Sequence, residues 1–274
     1  MGPRGPGREG SRDGSPDPRR DRQPRAEARR RAALELSVAL ARRLAAEFIG
    51  TFALVFAGAG AVMVDAETNA LGHVGVAITF GLVIMAMIYA VGHVSGAHFN
   101  GAVTFAFALS RHFPWSRASG YWCAQFLGAL AAAGLLRSSL GNIAHVGATL
   151  PSGSQGQSFL WEVVLTFFLM FVIMAVATDT RAVGEAAAIA IGATVGLDAM
   201  FGGPISGASM NPMRSAGPAL VSGDLHALWI YILAPLIGAA LGAIAYQFVR
   251  GDAPQPDATS LPVRACSRRR NVSG

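Results

Sequence analysis

The sequence predicts an all-α membrane protein of six transmembrane helices and two re-entrant half-helices, built as an inverted repeat. Three observations carry this. The 274 residues are 52% hydrophobic and 14% charged, with a mean hydropathy of +0.43, whereas about a quarter of residues are charged in a typical soluble domain. Six apolar runs are each long enough to cross a bilayer. Two Ser-Gly-Ala-x-x-Asn segments, at 95–100 and 206–211, interrupt the apolar pattern at related places in the two halves.

The net charge of +6 and pI of about 10.3 suggest a nucleic-acid binder until the charge is located. Residues 1–43 hold 12 Arg and 6 acids, residues 44–249 hold 5 Arg and 8 acids, and residues 250–274 hold 5 Arg and 2 acids. The apolar body is thus slightly acidic between two basic ends, which excludes a basic nucleic-acid surface interleaved with a folded domain. Residues 1–43 and 250–274 have the Arg-, Pro- and Gly-rich composition of disordered tails. Within the first, residues 25–43 are candidates to extend the first helix. No cleavable leader precedes the first apolar run, and Arg42-Arg43 reads as the positive flank of a transmembrane helix. Two cysteines, Cys123 in an apolar run and Cys266 in the basic tail, make no disulfide framework.

The spans are expected at 44–64, 74–94, 119–136, 159–178, 186–203 and 226–249. An even number of spans puts both ends on one side, and both ends are Arg-rich, so the positive-inside rule places both termini in the cytoplasm. Asp65 and Glu67 leave the first outer loop acidic, and Arg111 and Arg117 precede the third span on the inner side; Arg137 and Arg181 do not discriminate. The polar stretch 141–158 is read as the outer connection between halves. Gly192 and Gly196, and Gly238 and Gly242, permit close helix approach where lipid supplies no hydrophobic drive.

Glu47, Thr51 and Phe52 in the first span recur as Glu162, Thr166 and Phe167, each 115 positions later. Ser95 to Asn100 recur as Ser206 to Asn211 at an offset of 111, and Gly128 recurs as Gly238 at 110. These landmarks define repeats at about 44–136 and 159–249. With three spans each, the copies lie in opposite orientations, and their broken segments meet at the bilayer midplane. Each Asn stands at an N-cap position before an apolar stretch, 102–109 or 213–221, too short to cross. Glu47 and Glu162 are acids inside spans, and repeat symmetry suggests that each accepts hydrogen bonds from the N–H groups of a broken segment.

Together these motifs resemble the aquaporin or major intrinsic protein family over roughly residues 44–249. That family carries two Asn-Pro-Ala boxes on half-helices; here the boxes read Asn100-Gly101-Ala102 and Asn211-Pro212-Met213. Proline is preorganised for the first helical position, so Gly101 is expected to loosen the first half-helix by up to about 1 kcal/mol. The resemblance implies a passive channel for water and small uncharged solutes that excludes protons and ions. It implies no cofactor, no bound metal, no enzymatic activity and no nucleic-acid partner, and a homotetramer with one pore per subunit in a plasma or cell membrane.

The resemblance also implies site residues. Asn100, Gly101, Ala102, Asn211, Pro212 and Met213 form the pore centre, with carbonyls of Gly96, Ala97 and His98 and of Gly207, Ala208 and Ser209 as an acceptor ladder. Phe80, Ala199, Ala208 and Arg214 form the outer constriction, in which Ala199 stands where strict water channels carry His. That widens the opening toward glycerol, urea or neutral metalloid hydroxides. Ser215, where glycerol facilitators usually carry Asp, and Tyr231-Ile232 make the combination most similar to plant nodulin-like intrinsic proteins and bacterial relatives. His98 is expected to line the pore, while His73 and His93 are read as ordinary histidines. Asp198 is expected either as a solvated carboxylate near the outer interface or as a group that hydrogen-bonds a neighbouring helix or polarises the filter. An inverted-repeat secondary transporter and a non-conducting membrane protein of the same fold are the alternatives. The neutral Asn donors at the midplane disfavour the first, and Gly101 is the feature that would mark the second. Asn271-Val272-Ser273 matches a glycosylation acceptor, unused on a cytoplasmic tail.

Overall fold

Hydrocarbon offers no partner to a bare N–H or carbonyl, so a chain this apolar must satisfy its backbone internally. In a computed structural model it does so almost wholly with helices. The structure describes residue 2 and residues 22–178 and 186–251, with side chains from Glu35 onward. Arg181, Cys266, the 271–273 triplet, residues 3–21 and the rest of residues 252–274 lie outside the described residues. Among those described, the order is α1 (Arg22–Thr68), α2 (Gly72–Ser95), α3 (Gly101–Leu109), α4 (Trp115–Leu140), a single turn α5 (Ala144–Gly147), α6 (Gln155–Thr178), α7 (Ala187–Ser206), α8 (Pro212–Ser222) and α9 (Leu228–Arg250).

Six of these, α1 from Glu35, α2, α4, α6, α7 and α9, are long and apolar enough to span a membrane. Each contains nearly all of one apolar run. The first extends furthest: α1 begins at Arg22, so the helical extension read at residues 25–43 is present and starts three residues earlier. Ala, Leu, Glu and Arg in that stretch are all good helix formers, and a preformed span removes the cost of nucleation. The connection read as 141–158 is shorter, because Ser154 Oγ accepts from Gln157 N at 3.1 Å and starts α6 at Gln155.

The packing shows the repeat directly. α1 lies on α4 as α6 lies on α9, and α1 on α2 as α6 on α7. The half-helices cross over: α3 packs on α9 and α8 on α4, each against the last span of the other half. Closest approaches fall at the paired glycines. A Cβ at Gly128 would overlap the Phe48 carbonyl oxygen, and one at Gly238 the Val163 carbonyl oxygen. Between halves, a Cβ on Gly81 would stand 2.7 Å from Gly192 O, and one on Gly192 2.7 Å from Gly81 O. Gly238→Val is therefore expected to destabilise the bundle by about 2 kcal/mol or more, read as a lower midpoint of thermal unfolding in detergent.

Candidate functional site

α2 and α7 stop inside the membrane because Gly96 and Gly207 take left-handed φ of 90° and 87° at their C-caps, a conformation that glycine adopts without a Cβ penalty. The chain then runs without regular structure for four residues, exposing N–H groups that need acceptors. Ala97 N donates to Ser95 Oγ at 3.0 Å, His98 N to Glu47 Oε1 at 2.9 Å and Phe99 N to Glu47 Oε2 at 2.8 Å. The second copy matches: Ala208 N to Ser206 Oγ at 3.2 Å, Ser209 N to Glu162 Oε1 and Met210 N to Glu162 Oε2, both 2.8 Å. Both serine hydroxyls donate to the same carboxylates. Both glutamates are 0% exposed, so these hydrogen bonds take the place of water at their oxygens.

The peptide bonds among the described residues are trans, and in a trans peptide N–H and C=O point opposite ways. Three successive N–H groups aimed at Ser95 and Glu47 therefore turn the carbonyls of Gly96, Ala97 and His98 away from them. The carbonyls of Gly207, Ala208 and Ser209 turn away from Glu162 likewise. Positive φ at Ala97, Phe99, Ala208 and Met210 accompanies this path. These segments line one cavity of about 290 Å³, together with Phe80, Asn100, Ala199, Asn211 and Arg214.

At the cavity's middle the half-helices meet head to head. Asn100 Oδ1 caps Ala102 N at 2.8 Å; Asn211 Oδ1 caps Met213 N at 3.0 Å and Arg214 N at 3.4 Å. Asn100 Nδ2 donates to Met210 O and Asn211 Nδ2 to Phe99 O, both at 2.8 Å. Each amide NH2 has two hydrogens, so one per asparagine remains for the cavity. The other box residues do not line it. Gly101, Ala102, Pro212 and Met213 fill the first helical turns, whose side chains pack backwards: Ala102 is buried in the core, and Met213 lies against the cluster of Val55, Ala59 and Leu136. The Met213 methyl stands 2.9 Å from where a Gly101 Cβ would be, so the two unusual box residues occupy adjoining space.

A second cavity, lined by Asp65, His73, Thr149 and Gly207 among others, opens on the face opposite the start of α1 and the end of α9. Phe80, Ala199 and Arg214 border both cavities, while Ala208 borders the first. The Arg214 guanidinium carbon lies 5.1 Å from the Phe80 ring centroid. Arg214 Nη1 donates to Gly147 O at 2.9 Å, leaving four of its five N–H donors without a partner among the described residues, the buried Nε being one of them. Gly147 ends a turn in which Ala144, His145 and Val146 have φ of 44°, 52° and 58°, costing about 1–2 kcal/mol per residue. Below it a hydroxyl chain runs from Thr149 to Ser215 (2.6 Å), to Ser209 (2.5 Å) and on to Asn211 O (2.9 Å).

His98 lies on the first cavity wall, its ring packed 4.9 Å from Phe107 and Phe113 and its Nδ1 3.0 Å from Thr104 Oγ1. His73, read as ordinary, lines the second cavity with Nε2 2.6 Å from Met200 O. Asp198 departs from the solvated reading: it is 2% exposed, and its Oδ2 meets no hydrogen-bond partner among the described residues. Its helix position turns it into the bundle, one residue away from the cavity-lining Ala199. Sequence reasoning missed Gln125, which donates to Glu47 and Thr104, and the bracing role of Tyr121 and Tyr231, which donate at 2.7 Å to Ser95 O and Ser206 O. The tyrosines share the 110-residue offset of Gly128 and Gly238 and were findable by it; Gln125 has Pro235 at the corresponding place and was not.

A family model described as Major intrinsic protein matches residues 35–246. The chain belongs to the major intrinsic protein family. It is 52% identical over 221 residues to Aquaporin NIP1-1 of Zea mays, covering 80% of this chain and 78% of that one. It is 48% identical over 240 residues to Nodulin-26 of Glycine max, covering 85% and 89%. Among solved structures, the aquaglyceroporin from Plasmodium falciparum superposes with a TM-score of 0.66 at 27% identity, covering 76% of this chain and 95% of that one. This major intrinsic protein is thus a multi-pass integral membrane protein with a channel fold.

Two outcomes test the site's framework. Glu162→Gln turns an acceptor pair into an acceptor and a donor facing N–H groups, and is expected to destabilise the protein by about 3 kcal/mol, measured by unfolding in detergent. Asp198→Asn should leave the ratio of glycerol to water flux unchanged in stopped-flow vesicle shrinkage, because Asp198 Oδ2 meets no hydrogen-bond partner among the described residues.

Proposed function

We propose that this major intrinsic protein is a passive channel for water and small uncharged solutes such as glycerol, urea or neutral metalloid hydroxides, and that it excludes protons and ions. The observation that carries this reading is the meeting of two cavities at Phe80, Ala199 and Arg214, above a midplane where two capped half-helices point their N-termini at each other. Helix N-termini carry partial positive charge, so the midplane repels cations and favours a solute's oxygen. An oxygen that accepts from both Asn100 and Asn211 has its lone pairs engaged, which interrupts a proton wire.

Beyond the midplane the acceptor carbonyls take the hydrogens of a passing hydroxyl or amide, replacing the hydration it sheds. Phe80, Ala199, Ala208 and Arg214 act as the filter. Phe80 and the alanines give an apolar side, and the spare N–H groups of Arg214 give a donor side, which suits the carbon backbone and hydroxyls of a small polyol. Arg214 also adds a fixed positive charge that opposes cations. The Arg-rich ends support cytoplasmic termini, and the family resemblance supports a homotetramer with one pore per subunit in a plasma or cell membrane.

The test is stopped-flow shrinkage of proteoliposomes with water, glycerol, urea and a proton-sensitive dye. Expected are water and glycerol fluxes well above those of empty vesicles, without proton leak; absence of every neutral flux would refute the channel. Ala199→His should lower glycerol flux by about tenfold or more while sparing most water flux, since a bulky ring costs a larger solute a few kcal/mol at the constriction.

A further inference from the structure

Three polar neighbours surround Thr104 Oγ1: Asn100 O at 3.1 Å, Gln125 Nε2 at 3.0 Å and His98 Nδ1 at 3.0 Å. A hydroxyl has one hydrogen and two acceptor lone pairs. Asn100 O can only accept. Gln125 Nε2 only donates, and its second bond, to the Glu47 carboxylate at 2.8 Å, fixes the orientation of that amide. The hydroxyl hydrogen therefore goes to Asn100 O and one lone pair to Gln125. The other lone pair faces Nδ1, which must then carry a hydrogen. Turning the hydroxyl toward Nδ1 instead would leave two oxygens 3.1 Å apart with no hydrogen between them.

The ring is held neutral by its surroundings. It is 9% exposed and lies among Phe107, Phe113 and Tyr121. The Glu47 oxygens are taken by Ser95, Gln125 and the backbone N–H groups of His98 and Phe99. Among the described residues no carboxylate touches the imidazole, and a buried charge without a partner is costly. In a neutral imidazole with its hydrogen on Nδ1, Nε2 is a bare acceptor. Nε2 meets no partner among the described residues and is not sealed off. It stands 3.5 Å from where a Gly96 Cβ would be, and His98 and Gly96 both line the first cavity.

The repeat shows what is particular to this half. Ser209 and Ser215 take the places of His98 and Thr104 at the offset of 111, and they too are joined side chain to side chain. Ser209 spends its hydroxyl inside the protein, on Asn211 O and Ser215. An imidazole in the same place has a second polar atom, and that atom reaches the cavity.

We infer that Thr104 is a positioning residue that holds His98 in its Nδ1–H form, and that His98 Nε2 is a specificity-determining acceptor for solute O–H and N–H groups. It acts in the half of the pore lined by the carbonyls of Gly96, Ala97 and His98, and its role rests on the channel reading above. A polyol or urea, with hydrogens to place on several sides at once, gains most from the added acceptor. Water in single file, bonded to the waters before and behind it, gains less.

The test has two arms. NMR of the full chain in detergent, with isotope-labelled histidine nitrogens, locates the proton, because the two neutral tautomers give different correlation patterns. His98→Phe keeps the ring stack and identifies the His98 signal by its loss. The unmutated protein is expected to carry the proton on Nδ1, and Thr104→Val to give a mixture of both forms. In proteoliposomes, His98→Phe should lower the ratio of glycerol to water permeability about two- to tenfold, the span of one net hydrogen bond, and Thr104→Val should lower it in the same direction. A proton on Nε2 in the unmutated protein, a Thr104→Val tautomer pattern unchanged from it, or a ratio unmoved by His98→Phe would overturn the inference while leaving the channel intact. Absence of all neutral flux through the unmutated protein would overturn the channel reading, and the solute role of Nε2 with it.

Discussion

The rest of the molecule depends on two carboxylates that replace water for a broken backbone. A chain that leaves its helix within hydrocarbon strands its N–H groups, each at a cost of several kcal/mol. Glu47 and Glu162 answer that cost from the first helix of each half, each taking two backbone donors and a serine hydroxyl. With the N–H groups drawn to one side, the carbonyls have only the other side to face. The acceptor wall of the cavity is thus a geometric by-product of satisfying the donors, and the asparagine caps and Arg214 are built onto a backbone already fixed in direction.

The two copies do not solve the problem identically. Gln125 adds a fourth hydrogen bond to Glu47 and links it through Thr104 to His98, whereas Pro235 stands at the matching place in α9. In the second copy, Thr166 donates to its own helix at Glu162 O, and stiffness comes from a hydroxyl chain and from Pro212 at the head of α8. The half-helix that lacks a proline has the richer side-chain network beneath it. The one that carries Arg214 is instead braced by the connecting loop.

Much of this was legible in the sequence because hydrocarbon imposes coarse rules. A span must be long and apolar, which made six helices plain, and an intramembrane acid needs a reason, which drew attention to Glu47 and Glu162. The Asn-led half-helices stood out because the same motif occurs twice. What stayed hidden depends on side-chain direction over short distances. Ala102 and Met213 belong to the boxes yet pack away from the cavity, and Asp198 faces the bundle although its neighbour Ala199 lines the cavity. The turn at Ala144–Gly147 was hidden for another reason: apart from its last residue, nothing in Ala-His-Val marks a left-handed path, which tertiary packing imposes.

The crossed bonds at the midplane, Asn100 to Met210 O and Asn211 to Phe99 O, bear on how such a chain could arise. Each half supplies the acceptor for the other's amide, and each half-helix rests on the other's final span. A single half would leave the same donor and acceptor bare, and a second copy of itself, inserted upside down, would satisfy both at once. A self-complementary dimer with mixed orientation in the membrane is therefore a sufficient ancestor, and duplication and fusion of its gene would have freed the halves to diverge, as Gly101 opposite Pro212 and Gln125 opposite Pro235 have done.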